Sequence, residues 1–232
     1  MELADRVVLV TGGAGAIAGH VARKFAAAGA KVVLAGRKPG DAAALAAELG
    51  GVSIAGDVST PDGANAMAKA ALAACGRVDA LVHTVGGFAA GKVLESPAEL
   101  YRSMFDLNVG TLLNAVRAVV PLLVARGEGF VAGIASAPAW TGRGPGSGVY
   151  AASKSAVATL LRSLDADLAG TNVGVCVAFP MGVVDTAANR RDLPHADFST
   201  WVDPDAIGDA LVFAATRGAR GRTVDLVIQP RR

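Results

Sequence analysis

Tyr150-Ala-Ala-Ser-Lys154 sets a phenol and an ammonium four residues apart at the start of a long amphipathic stretch. On a helix that spacing puts both groups on one face. A phenol with its ordinary pKa near about 10 is a poor acid–base group at neutrality, but an adjacent cation favours the phenolate and draws that value down. Proton transfer to or from a substrate oxygen is the chemistry such a pair can perform. The pattern is cheap in isolation, and its bland alternative is a packed tyrosine beside a surface lysine. Ser136 strengthens it, because it closes the apolar run Ile134-Ala135-Ser136. A strand buried in a parallel sheet delivers its last residue to the carboxyl edge, where open α/β sheets hold their ligands.

The segment Val8 to Ala18 follows an apolar run with Thr-Gly-Gly-Ala-Gly and opens an Ala-rich stretch. Glycines there allow a tight turn and let the amides of a helix N-terminus approach a pyrophosphate. Dinucleotide binding is the expectation, with a merely structural turn as the alternative. The next strand ends Leu34-Ala35-Gly36-Arg37-Lys38, with no acid to receive a ribose 2′-hydroxyl and two cations to receive a 2′-phosphate. NADP(H) is therefore favoured over NAD(H), unless Arg37 and Lys38 are simply solvated surface charges.

Positioning these groups requires alternating strands and helices. Short Val-rich runs read as strands at 7–11, 31–36, 52–55, 80–84, 129–135, 173–179 and 223–228. They are apolar without alternation, as strands covered on both faces are. Helical patterns fill 16–28, 41–49, 61–74, 97–125 (with a break near Asn108), 149–169 and 204–216. Pro61, Pro97 and Pro204, each near a Ser, Thr or Asp, mark helix starts. The expected fold is α/β: a single doubly wound, Rossmann-like domain over residues 1–232, with a mostly or fully parallel sheet of about seven strands and helices on both faces. Residues 181–203 show no clear pattern and read as a substrate loop.

Composition narrows the function classes. The chain has 232 residues, 52% hydrophobic and 18% charged, with a net charge of +2. That excludes disorder and gives no broad attraction to nucleic acid or anionic lipid, so neither is an expected partner. No stretch reads as a membrane span or a secretion signal, and the expected location is cytoplasmic. Cys75 and Cys176 lie far apart with no CxxC and no neighbouring His, so no metal site or disulfide framework is expected.

Taken in order, these motifs resemble the short-chain dehydrogenase/reductase family of the Tyr-x-x-x-Lys type, from about residue 5 to the C-terminus. Thr11-Gly12-Gly13 is similar to the opening of that family's cofactor turn, and Asp57-Val58 to the pair that contacts adenine. Leu81-Val82-His83-Thr84-Val85-Gly86 stands at the place of its Leu-Val-Asn-Asn-Ala-Gly stretch, and Asn108 in Leu-Asn-Val-Gly matches its catalytic Asn. Pro180 to Thr186 resembles the segment beside the nicotinamide carboxamide. The resemblance implies a catalytic tetrad of Asn108, Ser136, Tyr150 and Lys154. It implies cofactor contacts from Gly12, Gly13, Gly15, Ala16, Ile17, Arg37, Lys38, Asp57, Val58, Gly86, Asn108, Tyr150, Lys154, Pro180, Gly182, Val183 and Thr186, and it requires no metal. The family's later turn glycines fall at Ala16 and Ala18, its paired asparagines at His83 and Thr84, Ser136 stands one residue further from Tyr150 than usual, and Met181 interrupts its Pro-Gly pair.

The implied reaction is reversible hydride transfer between NADP(H) and the carbonyl or secondary alcohol of a small molecule. Tyr150 would act as general acid–base and Ser136 would bond the substrate oxygen. Lys154 would lower the Tyr150 pKa and hold the nicotinamide ribose, and Asn108 would position a relay water. Candidate substrate contacts are Phe88, Trp140, which offers a stacking face, and Arg143, which offers a charge to an acidic group. His83 and His195 sit at no catalytic position of the family. The alternatives are an NADP(H)-binding sensor without turnover and a C=C (enoyl) reductase. The resemblance also implies a homo-oligomer, dimer or tetramer, through the helices at 97–125 and 149–169.

Overall fold

The structure, a computed structural model, describes residues 1–38, 40–217 and 221–230. Its frame is one sheet of seven parallel strands in the order β3-β2-β1-β4-β5-β6-β7. The strands are β1 (Val7–Thr11), β2 (Lys31–Gly36), β3 (Val52–Ala55), β4 (Ala80–His83), β5 (Gly129–Ile134), β6 (Val173–Pro180) and β7 (Asp225–Ile228). Successive residues of a strand point to opposite faces. In β1, Val7 and Leu9 enter the core on one face while Val8 and Val10 enter the core on the other. Both faces are covered, which is why these runs are apolar without alternation.

On one face lie α1 (Ala16–Ala27), α2 (Ala43–Glu48) and α9 (Pro204–Ala215), with Phe25, Ile207 and Leu211 fully buried. On the other, α3 (Pro61–Cys75), α5 (Thr111–Arg126) and α7 (Gly148–Asp167) bury Met67, Leu123 and Leu161. Their ends are set locally. Thr60 Oγ1 accepts from the Gly63 amide at 3.1 Å at the start of α3, and Asp203 Oδ1 from the Asp205 amide at 2.9 Å at the start of α9. Each cap is followed by a proline whose missing N–H costs nothing there.

Three elements differ from the sequence reading. The expected helix 97–125 is α4 (Ala98–Phe105) joined to α5 through a π-helical turn at Asp106–Gly110, so it widens at Asn108 where a break was expected. The continuous helix 98–126 is long and apolar enough to cross a bilayer by length and composition, which corrects the expectation that no such stretch exists. Here α5 packs on α3, β4 and β5. Residues 181–203 are built rather than patternless. A bridge between Val184 and Val202 closes the segment's ends, α8 (Ala187–Asp192) lies inside it, and Arg190 grips Asp185 through two bonds of 2.6 and 2.7 Å. A five-residue helix, α6 (Ala137–Thr141), follows Ser136.

Candidate active site

All the candidate residues that end strands do so at one edge. The chain leaves β1 and β4 in opposite directions across the sheet, which opens a crevice at their carboxyl ends. Gly12 follows β1 at φ +70°, a conformation that disfavours any side chain. Gly13 lies against β2, where a Cβ would come within 2.9 Å of Leu34 Cβ. Gly15 precedes α1 and leaves that helix without a side-chain cap, so no capping side chain claims the amides of its first turn. This cradle fits a pyrophosphate, although Ala16 and Ala18 stand where the family has glycine. Arg37 and Lys38 are exposed just beyond β2. Asp57 follows β3, and hydrogen bonding from Ser59, then the nearby Arg37 charge, holds its carboxyl below its ordinary value. Val58 is buried, and its carbonyl accepts from Asn114 Nδ2 at 3.0 Å.

His83, the last residue of β4, stands between β1 and the start of α5. Its Nδ1 is 2.9 Å from Thr11 Oγ1 and its Nε2 is 3.2 Å from Thr111 Oγ1. Thr111 gives its hydroxyl proton to Leu107 O at 2.6 Å, so it receives from Nε2–H, and Nδ1 accepts from Thr11. Burial, then the Lys154 charge, lowers the His83 pKa to about 3. The ring is therefore a neutral strut and no acid–base group.

The π turn brings Asn108 inward. Its Oδ1 accepts from the Gly87 amide at 2.9 Å, and its Nδ2 donates to Ser153 Oγ at 3.0 Å and Gly87 O at 3.2 Å. Ser153 in turn donates to Tyr150 O at 2.8 Å, which ties the turn to the start of α7. Lys154, one helical turn beyond Tyr150, is buried and donates to Ile134 O at 2.9 Å. Burial lowers its pKa to about 8. Gly86 closes the same space. A Cβ there would lie 2.7 Å from Asn108 Oδ1 and 2.9 Å from Lys154 Nζ. We therefore expect Gly86→Ala to displace one of the two and to cost about 1–3 kcal/mol in stability, the usual range for overpacking. Denaturant unfolding measures this, and an unchanged midpoint would show that the contact is slack.

Ser136 ends the β5 run in extended conformation, and its buried Oγ has no hydrogen-bond partner among the described residues. It nevertheless lies near enough to Tyr150 to favour that phenol's ionisation. We read the two hydroxyls as neighbours aimed into one space, since a formed bond would leave Ser136 satisfied. A buried hydroxyl without a partner is a place for another oxygen. Burial raises the Tyr150 pKa above its ordinary value, and Lys154 is not among the groups that shift it. This corrects the expectation that the lysine draws the phenol down: loss of solvent is the larger effect. The edge of the Phe88 ring meets Tyr150 at 4.9 Å between centroids.

Asn108, Ser136, Tyr150, Lys154, Gly86 and Phe88 thus share one end of the sheet with the glycine turn. Pro180 ends β6 beside them, and Gly182, Val183 and Thr186 follow it, Thr186 capping α8 through the Asn189 amide at 3.2 Å. Trp140 is anchored edge-on against Phe179 at 5.1 Å and is 45% exposed. Arg143 lines a cavity of about 730 Å³ with Val93, Pro145, Ala152 and Ser155. Sequence reading missed Ser153 and the linking role of His83. The first is signalled by its place before Lys154, whereas the second depends on the approach of Thr11 and Thr111.

Comparison with known proteins agrees with this layout. The family model described as short chain dehydrogenase matches residues 6–196. An uncharacterized oxidoreductase of Staphylococcus haemolyticus is 31% identical over 99% of both chains, and one of Staphylococcus aureus is 29% identical over 98% of both. Among solved structures, a 3-ketoacyl-(acyl-carrier-protein) reductase from Brucella melitensis, complexed with NADH, superposes with a TM-score of 0.86 at 25% identity, covering 98% of each chain. A metagenomic short-chain oxidoreductase in complex with NADP gives 0.82 at 26%, covering all of both chains. With its parallel seven-stranded sheet and its glycine turn at the carboxyl edge, this chain belongs to the short chain dehydrogenase family.

Proposed function

We propose that the protein transfers hydride reversibly between NADP(H), with NAD(H) also accepted, and the carbonyl or secondary alcohol of a small molecule. The observation that carries this reading is the orphaned Ser136 hydroxyl beside a protonated phenol, at the sheet edge that also holds the glycine turn. When bound, the nicotinamide supplies or accepts the hydride. The protein's own residues handle the oxygen. Ser136 Oγ is positioned to donate to a substrate oxygen, and the bond strengthens as that oxygen gains charge. Tyr150 holds its proton at neutrality and gives it to the developing alkoxide. The Lys154 ammonium places a positive charge in the same buried space, where low solvent content strengthens its effect on an anion. Asn108, held by Gly87 and Ser153, fixes the π turn against α7.

The test is NADPH oxidation with a panel of ketones, aldehydes and quinones. Turnover with at least one carbonyl is expected. Tight NADPH binding with no turnover on any of them would favour a sensor, and reduction confined to C=C bonds would favour an enoyl reductase. A pH dependence follows from Lys154. Its charged form is lost as pH rises through about 8, so kcat/KM for reduction should fall on the alkaline side with an apparent pKa near that value. A profile flat to pH 10 would show that the ammonium charge is not required.

A further inference from the structure

We propose that Asp41 acts as the strand-end acid that β2 lacks, and that its carboxylate holds down the preference for NADP(H), so that the chain binds both phosphorylated and unphosphorylated dinucleotides. The inference rests on the cofactor site proposed above.

β2 ends in Gly36 with no side chain, and the next two residues are cations. The chain then turns back on itself. The Asp41 amide donates to Lys38 O at 3.2 Å, and the Lys38 amide donates to Asp41 Oδ2 at 2.9 Å. This turn lays the Asp41 side chain over Gly36. A Cβ on Gly36 would lie 2.6 Å from Asp41 Cβ and 3.3 Å from Oδ2. A carboxylate from five residues downstream therefore occupies the seat of the missing side chain. Ala42, the next residue, leans on the cofactor turn, its Cβ 3.2 Å from where a Gly13 Cβ would stand. Asp41 thus lies between the glycine turn and the end of β2, where an adenosine ribose is held in this architecture.

Charge points the same way. Arg37 is near enough to Asp57 to stabilise that carboxylate. The strand ends therefore present Arg37 and Lys38 against Asp41 and Asp57, two charges of each sign. A 2′-phosphate gains from the cations and loses from the acids, while a 2′-hydroxyl can donate to a carboxylate. The cations alone would select strongly for the phosphate. With Asp41 in the Gly36 seat, the selection is weakened.

Calorimetry of NADP+ and NAD+, with 2′,5′-ADP and 5′-AMP as fragments, tests this on the full chain. Wild type should bind the two dinucleotides within about tenfold of each other. Asp41→Asn keeps an acceptor for the Lys38 amide and removes only the charge. It should shift the affinity ratio toward NADP+ by about fivefold or more at low salt, and by less at about 0.5 M salt, where exposed charges are screened. Asp41→Ser, whose hydroxyl can also accept from that amide, should move the ratio in the same direction. If both dinucleotides bind and neither variant changes the ratio, Asp41 has no such role. If neither dinucleotide binds wild type, the cofactor reading itself falls, and this inference with it.

Discussion

Tyr150→Phe should lower turnover at least about a hundredfold, which is about 2.7 kcal/mol of transition-state stabilisation and within the range of general acid catalysis. The substitution keeps the ring and with it the edge contact to Phe88 at 4.9 Å. It removes one oxygen and its proton. Ser153 continues to bond the backbone carbonyl of residue 150, and Lys154 continues to bond Ile134 O, so neither the start of α7 nor the lysine loses support. NADPH should accordingly bind with an affinity within a few fold of wild type. Burial keeps the phenol protonated well above neutrality, so the missing group is the proton donor of the reducing direction. The loss should therefore appear in kcat and in kcat/KM alike, the pattern of an interaction made in the transition state. Single-turnover kinetics with saturating NADPH isolate the step. A variant that retains more than about a tenth of wild-type turnover would remove Tyr150 from the role of acid.

The central strands β1, β4 and β5 were legible because each of their residues is buried, and burial on both faces leaves a sequence signature that needs no tertiary knowledge. Val7 to Val10 is the plain case, two side chains to each face and none to solvent. Helix starts marked by a proline beside an oxygen-bearing cap were legible for the same local reason. What failed was short or depended on an approach across the fold. Ala137 to Thr141 forms barely more than one turn, too few residues to show a period of 3.6. The π turn at Asp106–Gly110 keeps the helix going, so the break read near Asn108 is instead a widening. In the site, the order and spacing of Ser136, Tyr150 and Lys154 were visible, but the sign of the Tyr150 shift was not. Neighbouring charge can be guessed from spacing, whereas the depth of burial cannot. His83 and Asp41 illustrate the same limit. One is a strut only because Thr11 and Thr111 flank it, and the other lies over Gly36 at the end of β2 only because the chain folds back there.

Asp79→Asn should destabilise the protein by about 3 kcal/mol, the lower end of the cost of breaking a buried ion pair, because its cationic partners keep some solvent. Asp79 is 1% exposed and stands just before β4, at the amino end of the sheet. Its carboxylate meets Arg6 at 3.3 Å, Arg77 through Nε at 2.7 Å, and Arg126 at 3.4 Å, and it accepts from the Val7 amide at 2.9 Å. Its backbone links the starts of β1 and β5, receiving from the Phe130 amide at 3.1 Å and donating to Val7 O at 2.8 Å. Burial alone would raise the Asp79 pKa, but the Arg77 hydrogen bonds, the Val7 amide and the Arg6 bond outweigh it, and the net shift is downward. A carboxyl depressed in the folded state contributes stability that is fully present above its unfolded value of about 3.9 and is lost as pH falls through the lower folded value. The wild type should therefore lose more stability between about pH 4 and pH 2 than Asp79→Asn, whose amide does not titrate. At neutral pH the variant's Tm should lie about 6–12 °C lower, given about 2–4 °C per kcal/mol for a chain of this size. Because the cluster lies at the opposite end of the sheet from Ser136 and Tyr150, kcat at 25 °C should stay within about twofold of wild type, as expected for distant, independent sites. Calorimetric melting of both proteins at pH 7 and pH 3.5 decides the matter. Equal Tm values at neutrality would mean that Arg6, Arg77 and Arg126 are as well served by water as by Asp79.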